Sequence, residues 1–514
     1  MIPTRRRLQL PVLPAVAPAA AAPDASGVSA DGVRIGLLTL GCDKNTVDSE
    51  RILARLAGAG AHVSQDLTDA DVVVVNTCGF IDVAKEESIE AILDAVRLKR
   101  EGRIRAVVAI GCLVQRYQAE LAEEIPEVDL FLGLTETERL VPLLRARGAL
   151  PATPPVSTME RPLRLLSTRT RHTSYLKVSE GCDHTCAFCA IPLMRGRHRS
   201  TPVDVLVREA GELAAQGVVE LNLISQDTTW YGRDLQRGAA AGGADYFVGR
   251  TFAGMAGVPE VFAEPARGRV GGERRGLLPE LLRELLRSTD IPWVRLFYMY
   301  PSGIQRELVE LMAAEPRLLP YLDMPIQHGA DSVLRRMRRP ERRATILERV
   351  GWLREAIPDL TLRTTVIVGF PGETEGELEA LLELLEEVRF DRVGAFSYSV
   401  EEGTSAAGLP DQVPEAEKRE RLERLLDLQR TITLERNERW VGRETELLVD
   451  GLVGADRNDA AAATGLVGRT RAQALEVDGV VHVAEARGAR VGERVRVRIT
   501  EALDDDLIGV ILED

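Results

Sequence analysis

Short apolar runs alternate with amphipathic stretches along the first part of the chain. Three runs rich in Val, Ile, Leu and Ala have the length of buried strands: 33–40, 71–75 and 106–110. Between them, residues 47–57 and 85–100 show the spacing of helices that bury one face. Strands that alternate with helices in this way predict an open α/β domain over residues 33–148.

The alternation continues on a larger scale between residues 169 and 405. Six further apolar runs are predicted as strands, at 175–178, 218–225, 294–300, 321–325, 361–369 and 392–399. Six strands separated by helical stretches predict a partial (β/α)6 barrel, and in such barrels the active site lies at the C-terminal ends of the strands. Residues 237–276 within this domain are rich in Gly, Ala and Arg without clear periodicity. We interpret them as a long loop or an insertion.

Composition and residue pattern predict the structure of the segments between and after these two domains. Residues 149–168 contain four prolines and little periodicity, as is typical of a linker. Residues 406–440 are rich in charge and carry leucines near one face, which predicts a helical connector. Residues 441–514 consist of short alternating segments and are predicted to form a small antiparallel β-barrel. The fold class expected for the whole chain is therefore α/β with a terminal β-barrel.

Residues 1–32 resemble an export signal in their order of residues. Three arginines are followed by an Ala-, Pro- and Leu-rich run with small residues after it. Prolines at 11, 14 and 18 disfavour the helix that such a signal needs. We therefore interpret this segment as a disordered extension or an over-called translation start.

Charge and hydropathy indicate which kinds of partner the chain binds. The 514-residue chain has a formal net charge of -14, whereas coating nucleic-acid phosphates calls for a basic surface. The predicted C-terminal barrel has nine arginines against fifteen acidic residues, and no aromatic residue follows Trp440. Direct nucleic-acid binding is not expected to dominate, and a basic protein partner fits better. No uninterrupted apolar stretch of about 18 residues occurs, so no membrane span is expected.

Three of the six cysteines lie within eight residues. Cys182, Cys186 and Cys189 have the spacing Cys-x3-Cys-x2-Cys and follow the first predicted barrel strand. Zinc is one alternative, with His184 as a fourth ligand, although zinc signatures usually pair two-ligand knuckles across a longer span. Three thiolates on one loop suit a [4Fe-4S] cluster better, and they leave one iron open for another ligand.

The other three cysteines each come directly after a predicted strand. Cys42, Cys78 and Cys112 are separated by 36 and 34 residues, about one βαβ unit each, and each has a glycine neighbour. Neighbouring parallel strands would bring them to one edge of the sheet, where open α/β domains bind ligands. We predict a second three-thiolate cluster there, with buried structural cysteines as the alternative. A chain of this size needs no disulfides, so a reducing, cytoplasmic location is expected.

The loop from Cys182 to Cys189, with Phe188 before its last cysteine, resembles the cluster motif of radical S-adenosylmethionine enzymes. With a three-cysteine domain before it and a small barrel after it, the chain from Val33 onward resembles the methylthiotransferase family. Three segments resemble its ribosomal-protein-modifying branch: Leu40–Glu50, Asn76–Ile81 and Ser225–Thr228. The tRNA-modifying branch typically has Gln-Met-Asn at positions 43–45, where this chain has Asp-Lys-Asn. The chain departs from the family pattern at Thr201, where an arginine is common, and in the length of 237–276.

This resemblance implies an activity, cofactors and partners. The cofactors would be two [4Fe-4S] clusters and S-adenosylmethionine, and the C-terminal barrel would be TRAM-like. The reaction would insert a methylthio group at the β-carbon of an aspartate in the twelfth protein of the small ribosomal subunit, a basic protein. A low-potential electron donor such as flavodoxin or ferredoxin would be required. The alternatives are the same chemistry on a tRNA adenosine, or a non-catalytic metal-binding scaffold associated with the ribosome.

A few polar and glycine residues at predicted strand ends are weaker candidates. Gly369 and Gly372 follow a strand and would line the S-adenosylmethionine pocket, or they serve only a turn that needs glycine. Gln327 and His328 follow another strand end, and a structural role for the histidine is equally consistent. The charged stretch 335–343 is interpreted as a solvated helix face rather than a phosphate site.

Overall fold

The computed structural model describes residues 32–64, 66–151, 163–166, 171–237, 276–454 and 463–513. The predicted N-terminal extension and the 237–276 stretch lie outside these residues, apart from their edges. Among the described helices, none is both long enough and apolar enough to cross a membrane.

The N-terminal domain is built on a five-stranded parallel sheet of order β2-β1-β3-β4-β5. Its strands are β1 (Arg34–Thr39), β2 (His62–Ser64), β3 (Val72–Thr77), β4 (Ala106–Gly111) and β5 (Leu130–Gly133). The helices are α1 (Asp43–Gly58), α2 (Asp82–Arg100), α3 (Cys112–Glu124) and α4 (Leu140–Ala146). An apolar core fills each face of the sheet, as expected when helices cover both sides of parallel strands.

The central domain is a six-stranded parallel sheet of order β13-β12-β11-β10-β9-β6, which leaves its outer strands unjoined as in a partial barrel. The strands are β6 (Thr173–Lys177), β9 (Glu220–Ile224), β10 (Trp293–Leu296), β11 (Leu318–Asp323), β12 (Thr361–Val368) and β13 (Arg392–Ser397). A hairpin of β7 (Ser179–Glu180) and β8 (Arg199–Ser200) encloses the cysteine loop and the short helix α5 (Ile191–Arg195). The outer helices are α6 (Val203–Ala215), α7 (Leu278–Ser288), α8 (Arg306–Ala314), α9 (Asp331–Arg336), α10 (Arg343–Ala356) and α11 (Glu375–Val388).

A long helix, α12 (Glu415–Glu438), leads to a closed five-stranded barrel. Its strands are β14 (Glu444–Val453), β15 (Gly465–Thr470), β16 (Val481–Val483), β17 (Arg494–Ala502) and β18 (Leu507–Ile511). Four neighbouring pairs are antiparallel as predicted, whereas β16 and β18 pair in parallel. The predicted fold class is therefore confirmed, with one parallel pair in the terminal barrel.

The flanking domains contact opposite ends of the central strands. The N-terminal domain contacts the C-terminal ends, where the Nζ atom of Lys177 donates a hydrogen bond to Asp48 of α1. The terminal barrel contacts the N-terminal ends, where Arg469 Nη1 lies 2.6 Å from Glu220 Oε2. In barrels of this kind the active site lies at the C-terminal ends of the strands. The N-terminal domain therefore contacts the end of the barrel at which the active site is expected.

The predicted linker contains a buried cation in its described part. Arg164 lies between Glu50 of α1 and Glu209 of α6, and both carboxylates accept hydrogen bonds from its guanidinium. All three side chains are 1% exposed. Since Glu50 belongs to the N-terminal domain and Glu209 to the central domain, this segment joins the two domains through charge as well as through the chain.

Candidate functional site

The loop from Cys182 to Cys189 is held closed at both ends by the backbone. The amide of Cys182 donates to the carbonyl of Gly196, at 3.0 Å, and the amide of Cys189 donates to that of Cys186, at 3.2 Å. Gly181 enters the loop with a φ of +71°, and a Cβ atom there would lie 2.2 Å from the carbonyl oxygen of Arg197. Only glycine fits this approach, so the tight return of the hairpin gathers the three thiols.

Burial keeps these thiols protonated when no metal is bound. It raises the pKa of Cys182 and Cys186, and it raises the pKa of Cys189 to about 12. The neighbouring thiols add to this effect, because a second thiolate nearby would repel the first. Binding of iron would release the protons and supply the compensating charge.

Arg339 places a buried positive charge beside this loop. Its Nη1 atom lies 3.9 Å from Cys186 Sγ, and its guanidinium carbon lies 3.9 Å from the ring centroid of Tyr300. Glu341, which is fully buried, lies 3.1 Å from its Nε atom. The interpretation of 335–343 as a solvated face is therefore wrong for Arg339, because packing against Tyr300 and the cysteine loop overrides the solvation expected of a charge run.

His184 has a partner other than a metal in this arrangement. Its Nε2 atom is 2.7 Å from Asp227 Oδ2, and its ring stacks on Tyr300 with centroids 4.5 Å apart. Trp230 packs on it at 4.1 Å. Asp227 itself accepts hydrogen bonds from the amide and hydroxyl of Thr229. The carboxylate engages Nε2 and leaves Nδ1 as the one ring nitrogen through which His184 would serve the zinc alternative.

The N-terminal cysteines come together as their strand-end positions predict. Cys42 follows β1, Cys78 follows β3 and Cys112 opens α3 after β4. A Cβ atom on Gly41 would lie 2.9 Å from Cys78 Sγ, and one on Gly79 would lie 2.9 Å from the backbone carbon of Cys112. The glycines next to the cysteines therefore allow the three loops to touch, which is the role that the sequence indicates for them.

A single amide, Asn45, contacts all three of these loops. Its Nδ2 atom donates to the carbonyl of Leu40 before Cys42, at 2.8 Å, and to that of Thr77 before Cys78, at 3.1 Å. Its Oδ1 atom lies 3.8 Å from Cys112 Sγ. The sequence alone does not predict this role, because an asparagine at the start of a helix is ordinarily interpreted as a helix cap.

Cys112 is buried, and Cys42 and Cys78 are half-buried. Burial, together with the nearby Cys42, raises the pKa of Cys78 to about 11. Burial likewise raises the pKa of Cys112 to about 12, although Arg195 opposes the shift. No group of three ligand side chains in the described residues already converges on a single metal ion. The thiolates of a [4Fe-4S] cluster each bind a different iron, so the two sets of three thiols fit such clusters by their number and chemistry.

Arg195 joins the two cysteine sets. It is the last residue of α5, the helix that starts two residues after Cys189, and its Nη2 donates to Asn45 Oδ1 at 2.6 Å. Its Nη1 donates to Asp48 at 3.1 Å and to Glu180 at 2.8 Å. Cys112 packs in one apolar cluster with residues 190 and 194 of the same segment. The two sets of thiols therefore line a single interface.

Tyr298 occupies a strained position at this interface. Its φ is +59°, a conformation that costs a bulky residue on the order of 1–3 kcal/mol. Its hydroxyl lies 3.2 Å from both carboxylate oxygens of Asp43, and its amide donates to Asp323. The Nζ atom of Lys44 lies 3.0 Å from its ring centroid. Tyr298 follows β10 of the central domain, and its hydroxyl contacts Asp43, which is next to Cys42 in the N-terminal domain. Contacts from both domains therefore hold this strained backbone conformation in place.

The weaker candidates lie at the ends of β11 and β12. Gly369 has a φ of +72°, and a Cβ atom there would lie 2.4 Å from Lys418 Cγ, so its turn needs glycine whether or not it lines a pocket. Gly372 has a φ of +71° and donates its amide to Asp411. Gln327 bonds by its backbone to β12. His328 is fully buried, with Nδ1 accepting from the amide of Ala330. A contact of these residues with S-adenosylmethionine stays a prediction.

A partial parallel barrel with a three-cysteine loop after its first strand defines a radical S-adenosylmethionine protein. Residues 176–385 match the model of the radical SAM superfamily. Residues 34–133 match the uncharacterized protein family UPF0004, and residues 441–512 match the TRAM domain.

Comparison with curated proteins gives the particular family. The chain is 44% identical over 482 residues to ribosomal protein uS12 methylthiotransferase RimO of Anaeromyxobacter sp. (strain K), covering 93% of both chains. It is 40% identical to the RimO of Geobacter sulfurreducens, over 93% of this chain and 98% of that one. The chain belongs to the RimO family of methylthiotransferases, and the predicted resemblance is confirmed. It is therefore a transferase.

One solved structure shows a distant likeness to the chain. A radical S-adenosylmethionine methyltransferase from Kitasatospora setae, TsrM, aligns with 71% of this chain and 75% of its own at a TM-score of 0.48 and 15% identity.

Proposed function

We propose that this chain inserts a methylthio group at the β-carbon of an aspartate in ribosomal protein uS12. The observation that carries the proposal is the meeting of two three-cysteine sets at one interface, joined through Arg195 and Asn45. One set would suffice for radical formation. A second set beside it gives the sulfur to be inserted a place within reach of the same substrate.

The cysteines have distinct proposed roles. Cys182, Cys186 and Cys189 would hold one [4Fe-4S] cluster and leave an iron free for S-adenosylmethionine. When bound, these two groups supply the reductive cleavage that yields a hydrogen-abstracting radical. The second set, Cys42, Cys78 and Cys112, would hold a second cluster that carries the sulfur.

The remaining residues would bind and orient the cofactor and exclude water from it. Gly369, Gly372 and Gln327 are proposed contacts of S-adenosylmethionine. Arg339 would hold positive charge beside Cys186, where the cluster accepts an electron. A low-potential donor such as flavodoxin or ferredoxin would supply that electron in the cytoplasm.

The C-terminal barrel disfavours tRNA as the substrate. RNA binding depends on free cations that neutralise phosphates. Six arginines in the described part of this barrel instead lie at ion-pair distance from carboxylates of the same chain: Arg443, Arg469, Arg487, Arg494, Arg496 and Arg498. Their charges are largely compensated within the protein.

Anaerobic reconstitution with purified uS12 tests the proposal. We expect about eight irons per chain, since two clusters hold four each. On reduction, the chain should release deoxyadenosine and add one methylthio group to an aspartate of uS12, detected by mass spectrometry. Cys112→Ala should retain deoxyadenosine release but lose methylthio transfer, whereas Cys186→Ala should lose both.

Two results would contradict the proposal. In a deletion strain, loss of a tRNA methylthio group with unchanged uS12 would assign the activity to tRNA. Bound zinc with no cleavage of S-adenosylmethionine would indicate a non-catalytic scaffold.

A further inference from the structure

An exposed apolar strip with an acidic border lies beside Cys78. Phe80 is 40% exposed, Val83 is 69% exposed and Val400 is 47% exposed. Hydrogen bonds connect the segments that carry them: Lys85 donates to the carboxylate of Glu401, and Arg116 donates to the backbone carbonyls of residues 79 and 402. The three apolar side chains therefore belong to one patch, on both sides of the seam between the N-terminal domain and the end of β13.

The border of this patch carries negative charge. Glu86 and Glu87 lie on the exposed side of the first turns of α2, and Glu402 is exposed across the seam. The described residues include no ion pair to Glu86 or Glu87, whereas the cations Lys85 and Arg116 are largely buried against Glu401. The outward-facing charge of the patch is therefore acidic.

The patch is attached directly to the cysteine site. Ser88 of α2 accepts a hydrogen bond from the amide of Cys78 and donates one to its carbonyl, both at 2.9 Å. On the other side of the seam, Phe396 of β13 is 38% exposed. Val393 and Ala395 pack on the outer core, so by strand alternation Phe396 points into the barrel. Its exposure marks the open side of the barrel, and the segment after it leads to Val400.

We propose that the surface formed by Phe80, Val83, Val400, Glu86, Glu87 and Glu402, here called the entry surface, docks a Lys- and Arg-rich segment of the protein substrate. The inference rests on the proposed function and deepens it. Ribosomal proteins that neutralise rRNA phosphates carry such segments, and an acidic border complements them. The apolar centre would bind the aliphatic parts of the same side chains and exclude water.

Direct binding tests this proposal independently of catalysis. The reconstituted full chain would be titrated with fluorescently labelled uS12, with dissociation constants measured by anisotropy at low and high salt. Glu86→Lys/Glu87→Lys should weaken binding by about tenfold at low salt, and the difference should shrink at high salt. Phe80→Ser/Val83→Ser should weaken binding at both salt concentrations, because this variant loses apolar contacts, which salt does not screen.

A matched control reverses the same number of charges elsewhere in the domain. Glu123→Lys/Glu124→Lys changes exposed positions at the end of α3, about two turns beyond Arg116, and should leave the dissociation constant unchanged. Iron content would verify that each variant retains its sites. Equal weakening in the control would reduce the effect to overall charge and overturn the proposal.

The remaining outcomes separate this inference from the proposed function. Wild-type protein that does not bind uS12, or entry-surface variants that bind it normally, would overturn the docking proposal even if methylthio transfer occurs. Binding that depends on the entry surface without any methylthio transfer would uphold the docking surface and contradict the proposed reaction.

Discussion

At the scale of single residues, Asn45 connects the three loops that carry the N-terminal cysteines. Its amide nitrogen serves two backbone carbonyls that precede Cys42 and Cys78, and its oxygen accepts from Arg195. A carboxylate at this position would lose both donated bonds and would face two carbonyl oxygens at short range. An unsatisfied or repelled buried polar group costs about 1–3 kcal/mol.

We therefore expect Asn45→Asp to lose the iron of the N-terminal set. Iron content after anaerobic reconstitution should fall from about eight to about four per chain, with deoxyadenosine release retained. Asn437→Asp is the matched control, because Asn437 also donates to two backbone carbonyls, those of Leu503 and Asp504, in the distant C-terminal interface. Full iron content in Asn45→Asp would show that the amide does not organise the site.

Some site residues can be recognised from the sequence and others cannot, and the difference is how far along the chain their partners lie. The six cysteines are recognisable because their spacing and their strand-end positions are local properties. Arg195 and Asn45 are 150 residues apart, and nothing in either segment indicates the other. For the same reason the charge run 335–343 predicts solvent exposure for Arg339, whose partners Tyr300 and Cys186 lie in distant segments of the chain.

At the scale of elements, apolar periodicity located the buried strands well and the short exposed ones poorly. β3, in which every residue is buried, is evident from its run of valines. β2 has three residues, of which two are exposed, and β5 has four. Neither strand is long enough to show an alternating pattern of apolar and polar residues. Both are strands because they pair with neighbours in the sheet, and the local sequence does not show this pairing.

The start of α11 illustrates how one carboxylate stabilises an element near the site. Burial opposes ionisation of Glu377, yet hydrogen bonds from Arg336, Ser332 and the amide of Thr374 lower its pKa to about 2. Because the pKa is lowered on folding, the stabilisation is complete above about pH 4.5 and disappears as the pH falls toward 2. Arg336 also donates to the carbonyl of Gly372, so the same group supports the glycine turn.

Glu377→Gln should loosen the first turn of α11 at neutral pH. We expect its amides to exchange with deuterium about fivefold faster than in the wild type, corresponding to about 1 kcal/mol for the loss of charge in the hydrogen bonds from Arg336 and Ser332. The ratio should begin to fall below about pH 4.5 and approach one near pH 2. Glu375→Gln is the control, since Glu375 lies in the same turn but is 61% exposed. Equal exchange in both variants, or a ratio independent of pH, would contradict this account.

At the scale of the whole molecule, a buried charge network fixes the C-terminal barrel to the central domain. Arg469 lies 2.6 Å from Glu220 and 2.7 Å from Asp450, and Arg295 lies 2.9 Å from Glu220. Glu220, Arg295 and Arg469 have no exposed side-chain surface. Removal of one member of such a network leaves buried charge uncompensated, at about 3–5 kcal/mol.

Arg469→Met should therefore release the C-terminal barrel from its docked position. Limited proteolysis, with fragments identified by mass spectrometry, should show at least about tenfold faster cleavage between α12 and β14. Arg498→Met is the control, because Arg498 pairs with Glu444 at a site where both side chains are largely exposed, and such pairs contribute little. Unchanged cleavage in Arg469→Met would mean that apolar contacts alone hold the domain.

The position of Arg164 has a consequence for how a substrate reaches the thiols. It pairs with Glu50 in one domain and with Glu209 in the other, in a setting almost without solvent, and Arg51 of α1 pairs with the same Glu209 across the seam. A hinge that opened these domains would have to break at least one of these two pairs. We therefore expect the seam to stay shut during turnover, and a target aspartate has to arrive on a segment that protrudes far enough from its own protein to be threaded in from the side.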